Sequence, residues 1–356
     1  GLRGAWLACP ACRFLAAGAP KPAVLLSPMP GTRDAVASHR WFYRAFNFQE
    51  KSFEKTKECF EVKDDKLLCK ATGEEHHVGP WETPSVMDLR ARLEATTRKP
   101  DPDNGLTFRN VVAGTAALHH NEDNAGAVFQ VAALYNCLHT SEPSQGPEEG
   151  ITGYSATATQ GPAGAMSCPA ALVYRNFFLN APGAPKLDLL TGVAQAVQNG
   201  KEGYWTMRNG YLLPKPPAKI DALSARLGTD KVLGYDVEEN VRVGVHWDTE
   251  VGGYKHRVCQ VCCSCAPIGF TKQVKAADWE KFASLLLDGA YDATLTVAAL
   301  LAAQRKERVK VFLTVLGGGA LSNRMRWIIR AMDKILTRHA AEPLDVMLVH
   351  YGTTNR

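Results

Sequence analysis

Two apolar runs late in the chain restrict its fold more than any other feature. Val309-Lys310-Val311-Phe312-Leu313-Thr314-Val315 and Leu344-Asp345-Val346-Met347-Leu348-Val349 are almost continuously apolar, with an amphipathic, helix-forming stretch between them. Runs of this kind mark strands covered on both faces, as in parallel sheets flanked by helices. The rest of the chain repeats the alternation. It predicts a strand at 106–112, alternating strands at 241–247 and 258–265, and a long helix at 276–304 with Trp279, Phe282, Leu286, Tyr291 and Leu295 on its inner side. The expected fold class is α/β, with a mixed, mostly parallel sheet flanked by helices.

Residues 125–138 carry Val128, Val131, Ala132, Tyr135 and Leu138 at helical spacing and are expected as a buried helix bearing Gln130 and Asn136. Two further helices are expected at 162–178 and 187–199, and 200–235 reads mostly as connection. Upstream, Phe60-Glu61-Val62 and Lys66-Leu67-Leu68-Cys69 flank an Asp-Asp turn, which predicts a hairpin-rich arm. Thr83-Pro84-Ser85-Val86-Met87-Asp88 supplies a cap, a Pro at the first helical position and an early acid for a helix reaching about residue 97. The organisation expected is an extended segment (1–40), a hairpin and helix arm (41–105) and one α/β domain (106–356).

The 356 residues carry 41 Lys+Arg against 36 Asp+Glu, a net charge of +5. That balance falls short of a dedicated nucleic-acid binder and suits a small, phosphate-bearing ligand. No stretch reaches about 18 uninterrupted apolar residues, so no membrane span is expected. Ten cysteines in a chain this long read as small buried side chains in a reducing compartment. The first 33 residues hold Arg3, Arg13, Lys21 and Arg33 and no acid, the composition of an organelle transit sequence. Residence in a mitochondrion or plastid is therefore set beside a cytoplasmic one, with the head lying on a partner subunit or on its own domain.

Three loops are candidates for chemistry. Leu316-Gly317-Gly318-Gly319-Ala320-Leu321-Ser322-Asn323 joins a buried strand to an amphipathic helix, where converging backbone amides can hold an anion. It lacks the Gly-Lys-Ser/Thr of a P-loop and the dinucleotide glycine spacing. His119-His120-Asn121-Glu122-Asp123-Asn124-Ala125-Gly126 is a polar run expected to share a crevice with it, Asn121 or Asp123 capping the next element in the plainer reading. Thr159-Gln160-Gly161 opens a helix with residues small enough for a ligand to approach the backbone.

Cys259, Cys262, Cys263 and Cys265, with Cys9 and Cys12 far upstream, have zinc-knuckle spacing, but strand alternation turns Cys262 away from the others. His246, Asp248 and Glu250 share parity without a further ligand. No metal and no cofactor is expected. Arg324 to Arg338 reads as a basic helix with a solvated outer face.

The strand followed by Leu316-Gly317-Gly318-Gly319-Ala320-Leu321-Ser322-Asn323 resembles the Gly-Gly-Gly-Ala-Phe-Gly-Asn type loop of macrodomain-like proteins. Gly126-Ala127-Val128-Phe129-Gln130 resembles the Gly-rich entry to the Gln-bearing helix of poly(ADP-ribose) glycohydrolases. The resemblance covers residues 106–352, and 80–89 more loosely; Thr159-Gln160-Gly161-Pro162-Ala163 and Tyr174-Arg175-Asn176 look like signatures of a microbial and algal branch of that group. It implies an ADP-ribose crevice over the sheet, with Gly317, Gly318, Gly319 and Asn323 near phosphates, Gln130 and Asn136 orienting ribose, and Asn121, Asn124, Gly126, Thr159, Gln160 and Gly161 beside them. Two positions depart from the pattern. The glycohydrolase Gln precedes two glutamates, where this chain has Val131 and Ala132, and the Phe-Gly pair is Leu321-Ser322. Glu122 or Asp123 would have to serve as the acid. Two functions are therefore expected side by side: an ADP-ribose-type binding protein, weakly hydrolytic or inactive, and a non-catalytic accessory subunit of a large organellar assembly.

Overall fold

Seven strands make the main sheet of the computed structural model, which describes residues 40–96, 104–157, 159–217 and 219–352. In chain order the strands are β1 (Phe60–Lys63), β2 (Lys66–Cys69), β3 (Glu74–His77), β4 (Trp81–Glu82), β5 (Thr107–Val112), β6 (Val128–Ala132), β7 (Trp205–Arg208), β8 (Tyr211–Pro214), β9 (Gly244–Glu250), β10 (Arg257–Cys263), β11 (Val309–Thr314) and β12 (Leu344–His350). The main sheet has the order β4-β9-β10-β6-β11-β12-β5. β10, β6, β11, β12 and β5 run parallel, whereas β9 and β4 are antiparallel additions at one side. The sheet is thus mixed and mostly parallel, as the two apolar runs predict, and those runs occupy β11 and β12.

Helices cover both faces. On one lies Glu280–Arg305, with Trp279, Phe282, Leu286, Tyr291 and Leu295 all buried. The helices Val86–Glu94, Ile220–Thr229, Lys231–Glu239 and Met325–Arg338 surround it. Among the described residues it is the one helix long and apolar enough to cross a membrane, and 89% of its apolar window is buried within the protein. The helices Thr115–His120, Gln160–Met166 and Pro169–Val173 lie on the other face, and the last continues into a π-helical turn, Tyr174–Leu179.

The N-terminal arm is welded to this body. β1, β2 and β3 form a meander that begins with the predicted hairpin around Asp64 and Asp65, and the rings of Phe42, Phe46, Phe48 and Phe60 pack against one another edge-on or tilted. β4 extends the main sheet, and Glu250 of β9 accepts from the His77 amide at 2.7 Å. Apolar residues of arm and sheet belong to one cluster. The first 39 residues, including Cys9 and Cys12, lie outside the described residues.

Several expectations are corrected. Residues 125–138 are not a helix: 128–132 form the central strand β6, followed by tight turns. Gln130 therefore stands on a strand and Asn136 in a turn. A parallel strand buried on both faces shows no alternation, so its apolar residues mimic helical spacing. Residues 200–235 are not connection but the β7–β8 hairpin and parts of two helices. The expected helix at 162–178 is three segments, and that at 187–199 shrinks to Thr191–Ala196, with Asn199–Glu202 after it. At the arm helix the cap is Ser85 rather than Thr83, in a reciprocal capping box with Asp88, and the helix ends at Glu94.

Candidate functional site

The C-terminal ends of β6, β11 and β12 are where an α/β sheet presents its ligand crevice, and here the strands part. β6 and β11 are paired only at Val128–Val311 and Phe129–Phe312. Beyond Phe129 the Gln130 side chain bridges the gap: its Oε1 accepts from the Thr314 amide at 3.3 Å and its Nε2 donates to Thr294 Oγ1 at 3.0 Å. A carboxamide spent this way holds the crevice floor. It has no free donor left to orient a ribose.

Gln160 and Gly161 close the crevice from the other helical layer. Gln160 Oε1 accepts from the Thr115 amide at 2.9 Å. Gly161 lies so near β6 that a Cβ would run into the Ala132 carbonyl oxygen. Thr159 occupies the cap position of the Gln160–Met166 helix without a side-chain bond to it. Between these groups remains a cavity of about 30 Å³, lined by Thr115, Gln130, Gln160, Thr314 and apolar neighbours. That is room for roughly one water. No charged side chain lines it.

The glycine-rich loop forms the rim. Gly317, at φ +72°, abuts the Cys265 sulfur and Asn323, so the turn and its packing account for this glycine without a ligand. Asn323 is buried; its Nδ2 donates to the Ala266 carbonyl at 2.7 Å and its Oδ1 has no partner among the described residues. Leu316 is fixed by Tyr291, whose hydroxyl accepts its amide at 3.0 Å and donates to the Thr314 carbonyl at 2.8 Å. Gly318, Gly319 and Ala320 are exposed, and a Cβ on Gly319 would meet open space. The amides of Gly319, Ala320 and Leu321 donate to no group among the described residues. They stand ahead of the Met325–Arg338 helix, whose buried face carries Trp327, Ile328, Ala331 and Ile335.

The polar run at 121–126 is not here. It precedes β6, whereas the glycine-rich loop follows β11, and the two strands are parallel. The candidates therefore lie at opposite ends of the sheet, about 20 Å apart along a strand of this length. Asn121 Oδ1 caps the short 3-10 turn at the Asp123 amide (3.0 Å), Asn124 Nδ2 donates to the Leu118 carbonyl (2.9 Å), and Lys310 Nζ donates to the Asp123 carbonyl (2.6 Å). Gly126 offers its carbonyl to Arg305 Nη1 at 2.6 Å. Glu122 and Asp123 are exposed there. The expected shared crevice is thus corrected: the structure brings together Gln130, Gln160, Gly161 and the end of β11, with the glycine-rich loop beyond, and leaves Asn121–Gly126 at the far end. Asn136 is also at the C-terminal end, its Oδ1 accepting from the Leu138 amide at 3.2 Å within the turn after β6.

His119 is a site neighbour that the sequence did not single out by itself. It is fully buried, stacks on Phe129 at 3.7 Å between ring centroids, and burial pushes its pKa down to about 3, so it is neutral. Cys259, Cys262, Cys263 and Cys265 are buried free thiols, and Cys263 turns toward Thr294. Among the described residues no group of three or more His, Cys, Asp or Glu is placed to hold a metal ion. His246 is buried, Asp248 pairs with Arg257 at 2.9 Å and Glu250 with His76 at 2.6 Å. The basic helix is only partly a solvated face, since Lys334 pairs with Asp288 at 2.6 Å and Arg338 with Glu238 at 2.9 Å.

No protein-family model and no curated protein sequence matches the chain. Among solved structures it is similar to poly(ADP-ribose) glycohydrolase from Thermomonospora curvata, at 10% identity and TM-score 0.45, over 90% of this chain and 95% of that one. It is also similar to poly(ADP-ribose) glycohydrolase from Deinococcus radiodurans in complex with ADP-ribose, at 11% identity and TM-score 0.44, over 77% and 88%.

Proposed function

We propose that this chain binds an ADP-ribose-type nucleoside diphosphate at the rim of the β6–β11 crevice and does not hydrolyse it. The observation that carries this reading is the set of amides at Gly319, Ala320 and Leu321 that donate to no group among the described residues, beside a crevice with no ionisable lining. Amides offered in succession ahead of a helix suit a diphosphate. Glycosidic cleavage needs a positioned acid or an activated water. Here the two positions after Gln130 are Val131 and Ala132, and Glu122 and Asp123 stand at the other end of the sheet. The ADP-ribose in the Deinococcus radiodurans structures gives the ligand class to test first.

Calorimetry of the full chain with ADP-ribose tests the proposal, together with Gly319→Glu. That substitution meets open space, so it adds a repelling charge and leaves the packing alone. Affinity should fall at least about tenfold, or roughly 1.4 kcal/mol, with an unchanged melting temperature. Absence of binding by the unaltered chain, or equal binding by Gly319→Glu, refutes it.

A second reading has its own support. A cavity of about 30 Å³ is far below the several hundred that small-ligand sites occupy, which favours a non-catalytic subunit built on this body. It requires the chain to migrate in native extract within a larger assembly. Migration as a free monomer removes it.

A further inference from the structure

The two edges of the main sheet are finished differently. At one side β4 is two residues long, and its Glu82 carboxylate is held by Arg92 at 2.6 Å, so little backbone is left to pair. At the other side β5 is six residues long, Thr107–Val112, and β12 is its one neighbour in the sheet. Four of its residues are exposed, and neither a proline nor a bulge interrupts them. Its one charged side chain does not guard the edge. Arg109 is turned back over β12, its Nη2 3.3 Å from Met347 Sδ.

A strand in a parallel pair bonds its neighbour through alternate residues. The Ala113 amide donates to the His350 carbonyl at 3.0 Å, and the register sets His350 opposite Val112. The odd-numbered residues of β5 therefore face β12. The N–H and C=O groups of Phe108, Asn110 and Val112 point outward and bond to no other group among the described residues. This row is bounded at both ends: the Leu106 amide donates to the Ala340 carbonyl at 2.9 Å, and the Gly114 carbonyl accepts from Leu118 at 3.2 Å. Donors and acceptors left open in alternation are a template for one more strand.

The same groups determine which strand fits. Laid antiparallel against itself about a two-fold axis through Asn110, β5 pairs Phe108 with the partner subunit's Val112 and Asn110 with the partner subunit's Asn110. Every outward group is then used. An axis through Arg109 would call on the spent Leu106 amide and set two guanidinium side chains directly opposite each other, and an axis through Val111 would call on the spent Gly114 carbonyl. The register through Asn110 also covers apolar surface that is otherwise wet. Val112 is 44% exposed, and Tyr351, 67% exposed, lies beside Gly114 at the same end of the strand.

We infer that β5 is a self-association edge: a second copy of this chain adds antiparallel across a two-fold axis at Asn110, so that one sheet runs through both chains. Main-chain hydrogen bonds hold the pair, and Phe108 against Val112 supplies its apolar contact. None of the three outward-facing residues lines the β6–β11 crevice, so this contact and the ligand reading stand or fall separately.

Sedimentation velocity of the full chain over a wide range of concentration tests the inference. A species of twice the mass of one chain is expected as concentration rises. Asn110→Asp opposes two carboxylates on the axis and keeps an acceptor for His350. Its dimer should dissociate at least about tenfold more readily, with an unchanged melting temperature. Asn110→Cys supplies a second measurement. Its two thiols belong to residues about 5.5 Å apart between Cα atoms, within reach of a short bismaleimide, whereas those of Thr107→Cys are about 20 Å apart and out of its reach. Cross-linked dimer is expected from Asn110→Cys, above the background that the chain's own cysteines give in the unaltered protein, and not from Thr107→Cys. A chain that stays monomeric at every concentration, a dimer as tight in Asn110→Asp, or no more cross-linking at 110 than at 107 overturns the inference. Should Asn110→Asp fail to fold, the concentration series and the cross-linking decide it.

Discussion

At the C-terminal end of β6 and β11 the surroundings are neutral: Gln130 and Gln160 are spent on the backbone, and three amides on the rim donate to no group among the described residues. At the N-terminal end the polar atoms are as numerous and already engaged. Asn121 and Asn124 cap and strap their own turns, while Lys310 and Arg305 hold the carbonyls of Asp123 and Gly126. Similar loop composition thus has opposite consequences at the two ends. The N-terminal loop is a fastening. The C-terminal loop keeps unspent donors: Tyr291, the Asn323 side chain and the amides of Gly318, Ser322 and Asn323 fix its turn, and those of Gly319, Ala320 and Leu321 are left over.

The largest effect that would break this contrast belongs to Gly161. Gly161→Val drives a side chain into β6 and should cost about 3 kcal/mol or more in urea unfolding; a small loss would mean that the C-terminal end is looser than its packing. Next is pH. With no ionisable lining, the crevice should bind a ligand with little change between pH 5 and 8, and acid sensitivity should arise elsewhere. Asp292, on the buried side of the long helix, is held down to about 2 against the desolvation of burial by His339, Arg90 and Arg338. Its folded value lies below the ordinary 3.8, so its stabilisation is present above that value and is lost as pH falls toward 2. The loss is about 2 kcal/mol, and Asp292→Asn should flatten the acid limb of stability against pH.

Gln130→Leu comes third, leaving the Thr314 amide without its acceptor and lowering stability by about 1–2 kcal/mol. The smallest effect sharpens the contrast from the other side. Glu122→Ala and Asp123→Ala should each change stability by less than about 0.5 kcal/mol and leave ADP-ribose calorimetry untouched. A lost affinity would place the acids in the site after all.

Much of the sheet was legible because β9, β10, β11 and β12 announce themselves by alternation or by length. β6 was not, since a strand buried on both faces has no period to read. The β7–β8 hairpin carried a usable signal, Asn209-Gly210, whose φ angles of +47° and +82° are those of a two-residue hairpin turn. For the candidate site, the glycine-rich loop was legible and its relation to Asn121–Gly126 was not. Which end of a strand a loop joins depends on calling the next element a strand.

β5 pairs with β12 alone, and β12 is the last strand in the order of the chain. The 26-residue helix Glu280–Arg305, an apolar rod about 39 Å long, is likewise covered partly by Met325–Arg338, which comes after it. During synthesis, both an unpaired strand and an oily cylinder must therefore wait for residues not yet made. That interval exposes the nascent chain to aggregation, so a demand for chaperones during translation is written into the strand order itself.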